Sequence, residues 1–161
     1  MSVFSDTHVI MKDNQVIPAH KFILNARSSS WAWNESKDLD WSHLPEQVSF
    51  ALLEWIYTDK VILINQDDSF KLELMKAAKS FDLPHLLVLC ERALIASVQL
   101  RNCIRLYTTA EEIGALELKE HCSQLISTHW VCYAKRHSEM RHMKSKRFSF
   151  RMISIAKISS T

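Results

Sequence analysis

His121, Cys122, His129 and Cys132 place four side chains able to ligate a metal within twelve residues, and nitrogen and sulfur donors of that kind suit zinc. Helical spacing argues against it. On one continuous helix rising ~1.5 Å per residue, Cys122 and Cys132 stand about 15 Å apart, whereas zinc–sulfur bonds are about 2.3 Å long. No metal site is expected. His20, in Ala19-His20-Lys21 ahead of an apolar run, is the other residue whose chemistry invites a role, as a general base. No constellation of acids, bases or nucleophiles accompanies it, so His20 reads as a half-buried structural histidine. No catalytic residue and no cofactor is expected.

The single glycine, Gly114, removes whole classes of chemistry. A phosphate-cradling P-loop, a dinucleotide fingerprint and a nucleophile elbow each need two or more glycines, because backbone must approach the ligand closely or take positive φ. Cys90, Cys103, Cys122 and Cys132 are widely and irregularly spaced, with no CxxC pair. No signal peptide precedes them, so a reducing, intracellular compartment is expected. Asn34-Glu35-Ser36 matches a glycosylation sequon, but without a secretory signal it carries no weight. No apolar run approaches the 18 or so residues of a transmembrane helix.

Net charge is unevenly distributed. Residues 1–130 hold 12 Lys/Arg against 17 Asp/Glu, a balance of −5, while residues 131–161 hold 8 against 1, a balance of +7. The tail also carries Phe148, Phe150, Ile153 and Ile155, a composition that suits nucleic acid or an acidic membrane surface.

The elements that would position these residues follow from periodicity and turn chemistry. Residues 7–12 and 15–17 read as two short strands around the turn-prone pair Asp13-Asn14. Pro18 marks the exit of the second strand and suits a first helical turn, which would put Ala19, Phe22, Ile23 and Ala26 on one face. Ser28-Ser29-Ser30 ends that helix. Residues 39–41 suit a short strand, Val48, Leu52, Trp55 and Ile56 an apolar helical stripe after Pro45, and residues 61–64 a further buried strand. Asp67-Asp68 opens a helix with Phe70, Leu74, Ala77, Ala78 and Phe81 on one face. Leu86, Leu87, Cys90, Ala93 and Leu94 continue the core after Leu83-Pro84. Two last helical patterns, Cys103 to Ala110 and Leu118 to His129, flank Gly114, which suits a left-handed C-cap in an antiparallel hairpin. Of the five tryptophans, Trp55 fits a core stripe. Trp31 and Trp33 beside the serine run are either packed on the domain or anchors for a partner.

Several of these stretches carry a resemblance. Asp6-Thr7-His8-Val9-Ile10, Ile17-Pro18-Ala19-His20-Lys21-Phe22-Ile23-Leu24, Ala26-Arg27-Ser28, Trp55-Ile56-Tyr57-Thr58-Asp59 and the block from Leu74 to Leu83 resemble a BTB/POZ domain over roughly residues 5–96. The helical hairpin beyond Val98 resembles the 3-box or BACK extension of many such proteins. The wording through His20 to Trp31, Leu53 to Asp59 and Arg101 to Tyr107 is similar to the BTB segment of the rabankyrin family, which joins a BTB domain to ankyrin repeats and a FYVE finger on endosomes. It fades after Trp130, and no ankyrin or FYVE set is present in this chain.

The resemblance implies an α+β fold, a small sheet flanked by helices, with residues 1–97 as the BTB/POZ domain, 98–130 as the helical extension and 131–161 as a basic tail, disordered or loosely helical. It implies Asp6, Ala19, His20, Leu24, Ser28 and Tyr57 as the structural motif, with Asp6 and His20 tying the first strand to the first helix. It also implies a cytoplasmic, non-enzymatic scaffold, endosome-associated if it follows the rabankyrin family, with proteins as partners and no nucleic acid. The alternative is a substrate adaptor of a cullin ubiquitin ligase. Ser49-Phe50-Ala51 occupies the place of the family's cullin motif but lacks its hydrophobic residue and its glutamate, so cullin binding is disfavoured. Only five residues precede Asp6, so the exchanged N-terminal element of many BTB dimers is expected to be missing. A weak homodimer or a monomer is expected, and the candidate interaction surface comprises Phe22, Trp31, Trp33, Ser49 and Phe50.

Overall fold

The computed structural model describes residues 5–129. They form three strands and six α-helices, divided between one compact unit that runs to Leu94 and a second that starts at Ile95. The basic tail, Trp130 and Cys132 lie outside the described residues.

In the first unit, β1 (Thr7–Ile10) pairs antiparallel with β2 (Val16–Ala19) and parallel with β3 (Leu39–Asp40), giving the order β2-β1-β3. Val9 faces Ile17 on one side and Leu39 on the other. Asp13 and Asn14 both take positive φ, 62° and 59°, the left-handed turn that short polar side chains tolerate. His8 and Ile10 direct their backbone groups toward the β3 side: His8 N–H donates to Asp38 Oδ1 at 3.0 Å and Ile10 O accepts from Trp41 N–H at 2.8 Å. Pro18, opposite His8, therefore has its nitrogen on the outer edge, where proline costs no ladder hydrogen bond.

Helix α1 (Lys21–Arg27) is short, and α2 (Glu46–Thr58), α3 (Asp68–Ser80) and α4 (Pro84–Ile95) follow. Asp67 caps α3, its Oδ1 accepting from Phe70 N–H at 2.8 Å, so an otherwise unpaired donor is satisfied. Val9, Met11, Leu24, Leu39, Leu52, Ile56, Leu74 and Leu86 fill the core. Trp31, Trp41 and Phe81 stack together with ring centroids 5.1–6.0 Å apart, within the range of favourable aromatic pairs.

The second unit is a helical hairpin, α5 (Cys103–Ile113) packed on α6 (Leu116–Thr128). Gly114 ends α5 at φ 81°, its N–H donating to Ala110 O at 2.9 Å; the left-handed cap read from the sequence is present. Cys103, Leu106, Ala110, Leu118, Cys122 and Ile126 are buried in this unit. Burial pushes the Cys122 thiol up to about 12, and in the first unit it does the same to Cys90.

Three local expectations are corrected. The second strand continues through Pro18 to Ala19, so helix α1 begins only at Lys21. Ala19 is then a buried strand residue, Leu24 is the buried residue of α1, and Phe22 and Ala26 face outward. Residues 61–64 form no strand: a turn closes with Gln66 N–H on Leu63 O, Asn65 takes φ 64°, and Ile62 and Ile64 are exposed.

Candidate interaction surface

The motif residues fall into two clusters around α1. At its N-terminus, Asp6 Oδ1 accepts from Lys21 N–H at 2.8 Å and Asp6 N–H donates to Ala19 O at 3.2 Å, so one aspartate joins the start of β1 to a helix start that favours a negative charge. His20 turns instead to α2, with its N–H donating to Tyr57 Oη at 3.0 Å and its Nδ1 lying 2.9 Å from the same oxygen. The Tyr57 hydroxyl thus meets both the backbone and the ring of His20. Burial pushes the Tyr57 phenol above its ordinary value, opposed by the His20 amide and reinforced by the Asp6 charge. It stays a proton donor through the neutral range.

At the C-terminus of α1, Leu24 O accepts from Ser28 N–H at 3.1 Å and from Trp31 Nε1–H at 2.7 Å. Ser28 is buried, and its Oγ accepts from Ser30 N–H at 3.0 Å. Arg27, not singled out by its spacing, makes the strongest tie to α2. Its Nε–H donates to Ile56 O at 2.8 Å, its Nη1 pairs with Asp59 Oδ1 at 2.6 Å, and its guanidinium lies 5.2 Å from the Trp55 ring centroid.

These ties hold α1 in place and leave Phe22 on its outer side, 83% exposed. Beside it, Lys21 Nζ lies 5.4 Å from the ring centroid of half-buried Trp33, a cation–π distance. Phe50 is partly exposed on α2. Two members of the expected surface are not on it. Trp31 is 5% exposed and Ser49 0%, because the indole N–H is drawn onto Leu24 O and the aromatic cluster, while Ser49 lies on the inner face of α2 with Oγ directed to Pro45 O at 3.4 Å. Ala51 is buried too. The cullin-motif triplet thus presents only Phe50.

Among the described residues no group of His, Cys, Asp or Glu is arranged to hold a metal, and no helix is long and apolar enough to cross a membrane. The partner of His20 is the Tyr57 phenol. The arrangement leaves an exposed apolar side chain, Phe22, on a helix tied at both ends.

With the mixed three-stranded sheet, the helical cluster and the ties around α1 described, the family follows from the comparison of sequences: the chain belongs to the BTB/POZ domain family, whose model matches residues 2–98. BTB domains are protein–protein interaction modules and are generally not enzymes.

Among curated proteins the chain is similar to human Rabankyrin-5, 42% identical over 130 residues, covering 79% of this chain but 11% of that protein. It is 25% identical over 137 residues to human Kelch repeat and BTB domain-containing protein 3, covering 80% of this chain and 22% of that one. The BTB domain of zebrafish PATZ1 aligns in structure with a TM-score of 0.46 and 23% identity, covering 56% of this chain and 75% of that one.

Proposed function

We propose that the chain acts as a non-enzymatic scaffold whose first unit recruits a protein, a second copy of itself included, through the outer face of α1. The observation that carries this is Phe22, 83% exposed on a helix tied at both ends to neighbouring elements. A large aromatic exposed on an anchored helix has most of its burial energy still to gain on binding. We assign residues 1–97 to this module and residues 98–130 to a 3-box or BACK-like extension. The similarity to Rabankyrin-5 supports a setting in endosomal trafficking.

The adaptor reading is less well supported, since Ser49 and Ala51 are buried where a cullin would need to find a hydrophobic residue and a glutamate. Sedimentation of the full chain, alone and as Phe22→Asp, tests the scaffold reading. A dimer of about micromolar or weaker affinity, lost in the variant while its circular dichroism is retained, supports it. A dimer unaffected by Phe22→Asp sinks the α1 assignment. Saturable calorimetric binding to the N-terminal domain of the BTB-binding cullin would replace the scaffold reading with the adaptor.

A further inference from the structure

Residues 60–64, Lys60-Val61-Ile62-Leu63-Ile64, have the composition of a strand but no strand beside them among the described residues. They follow the left-handed Asp59, φ 58°, and run into the turn that Gln66 N–H closes on Leu63 O at 3.4 Å. Exposure alternates along them. Val61 and Leu63 are half-buried, whereas Ile62 is 68% and Ile64 79% exposed, the period of two that sets one face of a strand on its domain and the other in water. The main chain is open as well. Lys60 N–H turns back to Thr58 Oγ1 at 3.2 Å, and among the described residues the N–H groups of Val61, Ile62, Leu63 and Ile64 find no acceptor. A row of open donors beside two exposed β-branched side chains is an edge that takes another strand.

We propose that this segment pairs with the same segment of a second copy, antiparallel about a two-fold axis. Charge favours that occupant and that direction. Lys60, before the exposed isoleucines, has no ion pair among the described residues, and Asp67 lies beyond them. Antiparallel copies turn Lys60 of each toward Asp67 of the other, whereas parallel copies set like charges together. Side chains agree with it. With Ile62 opposite Ile62 of the second copy, both Ile64 side chains fall on the same face, so four isoleucines exposed in the single chain cover one another. Asn65, at φ 64°, ends the extended run, so the ladder is short and the pairing is weak and concentration-dependent. None of residues 60–64 takes part in the ties around α1, so this contact and the one proposed for Phe22 stand or fall separately.

Amide hydrogen exchange of the full-length chain, read residue by residue by fragmentation mass spectrometry, tests this between about 10 µM and about 1 mM protein. Alternate amides within residues 61–63 should exchange about fourfold more slowly at the higher concentration, as a dissociation constant of about 0.1 mM requires. Ile62→Asp/Ile64→Asp, at two exposed positions, should remove that protection with circular dichroism unchanged, and Phe22→Asp should leave it intact. Equally fast exchange at both concentrations overturns the proposal. So does protection that is the same at both, which would mean cover within one chain, and so does protection that survives the isoleucine variant. Protection lost in Phe22→Asp would assign it to the α1 contact and also overturns the proposal. Should the double variant fail to fold, Ile64→Lys alone is read in its place.

Discussion

Arg27 offers the sharpest test of how α1 is held. The last carbonyls of α2 have no helical partner; Lys60 N–H, which would reach Ile56 O, bonds Thr58 Oγ1 instead at 3.2 Å. Arg27 Nε–H fills the vacancy on Ile56 O, and the same guanidinium bonds Asp59 and covers Trp55. Replacing Arg27 by Met keeps the stem and removes all three. A charge-assisted hydrogen bond to the carbonyl contributes about 1.5–3 kcal/mol, the pair with exposed Asp59 about 0–1, and the cation–π contact about 0.5–1. Because the three share one group they do not add, and a net loss of about 2–3 kcal/mol is expected. Arg27→Lys keeps the charge but cannot bond the carbonyl and the carboxylate with one planar fork, so it loses about 1–2 kcal/mol. Asp59→Asn loses no more than about 1 kcal/mol. Urea unfolding followed by tryptophan fluorescence reads these differences, since Trp31, Trp41 and Trp55 are all buried in the first unit. The Met variant should unfold at about 1 M lower urea. A Met variant within about 0.5 kcal/mol of the parent, or a Lys variant equal to it, would refute the capping argument.

The remaining predictions concern the lock, the aromatic cluster and the thiols. Tyr57 has its pKa raised in the folded chain, so its contribution is present below the ordinary phenol value near 10 and is lost as pH rises through the raised one. Urea midpoints between pH 8 and 12 should fall more steeply for the parent than for Tyr57→Phe, and parallel curves would count against the lock. Trp31→Ala should lose about 3–5 kcal/mol as a core deletion, while Trp33→Ala, at a half-buried ring, loses less than half of that; equal losses in the same denaturation would contradict the placement. Cys90 and Cys122, with thiols pushed up to about 12, are about one part in ten thousand thiolate at pH 8. Labelling by iodoacetamide in the native chain should therefore be no faster than local unfolding, and rapid labelling of either would show that it is not sealed.

What could be read from sequence was what local chemistry decides. The α2 stripe of Val48, Leu52, Trp55 and Ile56, the acidic start of α3 and the Gly114 cap each depend on residues within a turn or two, and each is found. Errors came where distant pairing overrides the local signal. Pro18 reads as a helix start, yet pairing with His8 keeps the chain extended for two more residues and rotates α1 so that Leu24 rather than Phe22 is buried. Trp31 is captured by a carbonyl seven residues back and by Phe81 fifty residues on, and residues 61–64 have strand-like composition but no neighbouring strand among the described residues. Of the candidate site, the Asp6 tie to the first helix was legible. The Tyr57 partner of His20 and the part played by Arg27 were not, because they reach across 37 and 29 residues.

Pro18 has one more effect. Among the described residues β2 is an outer edge of the sheet, and the outward nitrogen at its centre carries no hydrogen. A bare edge accepts almost any extended chain, because main-chain pairing does not ask what the side chains are. A protein that gathers others cannot afford that indifference. With a donor missing from this edge, main-chain pairing along β2 is interrupted at its centre, and any strand added there must be selected by side chains rather than by the backbone alone.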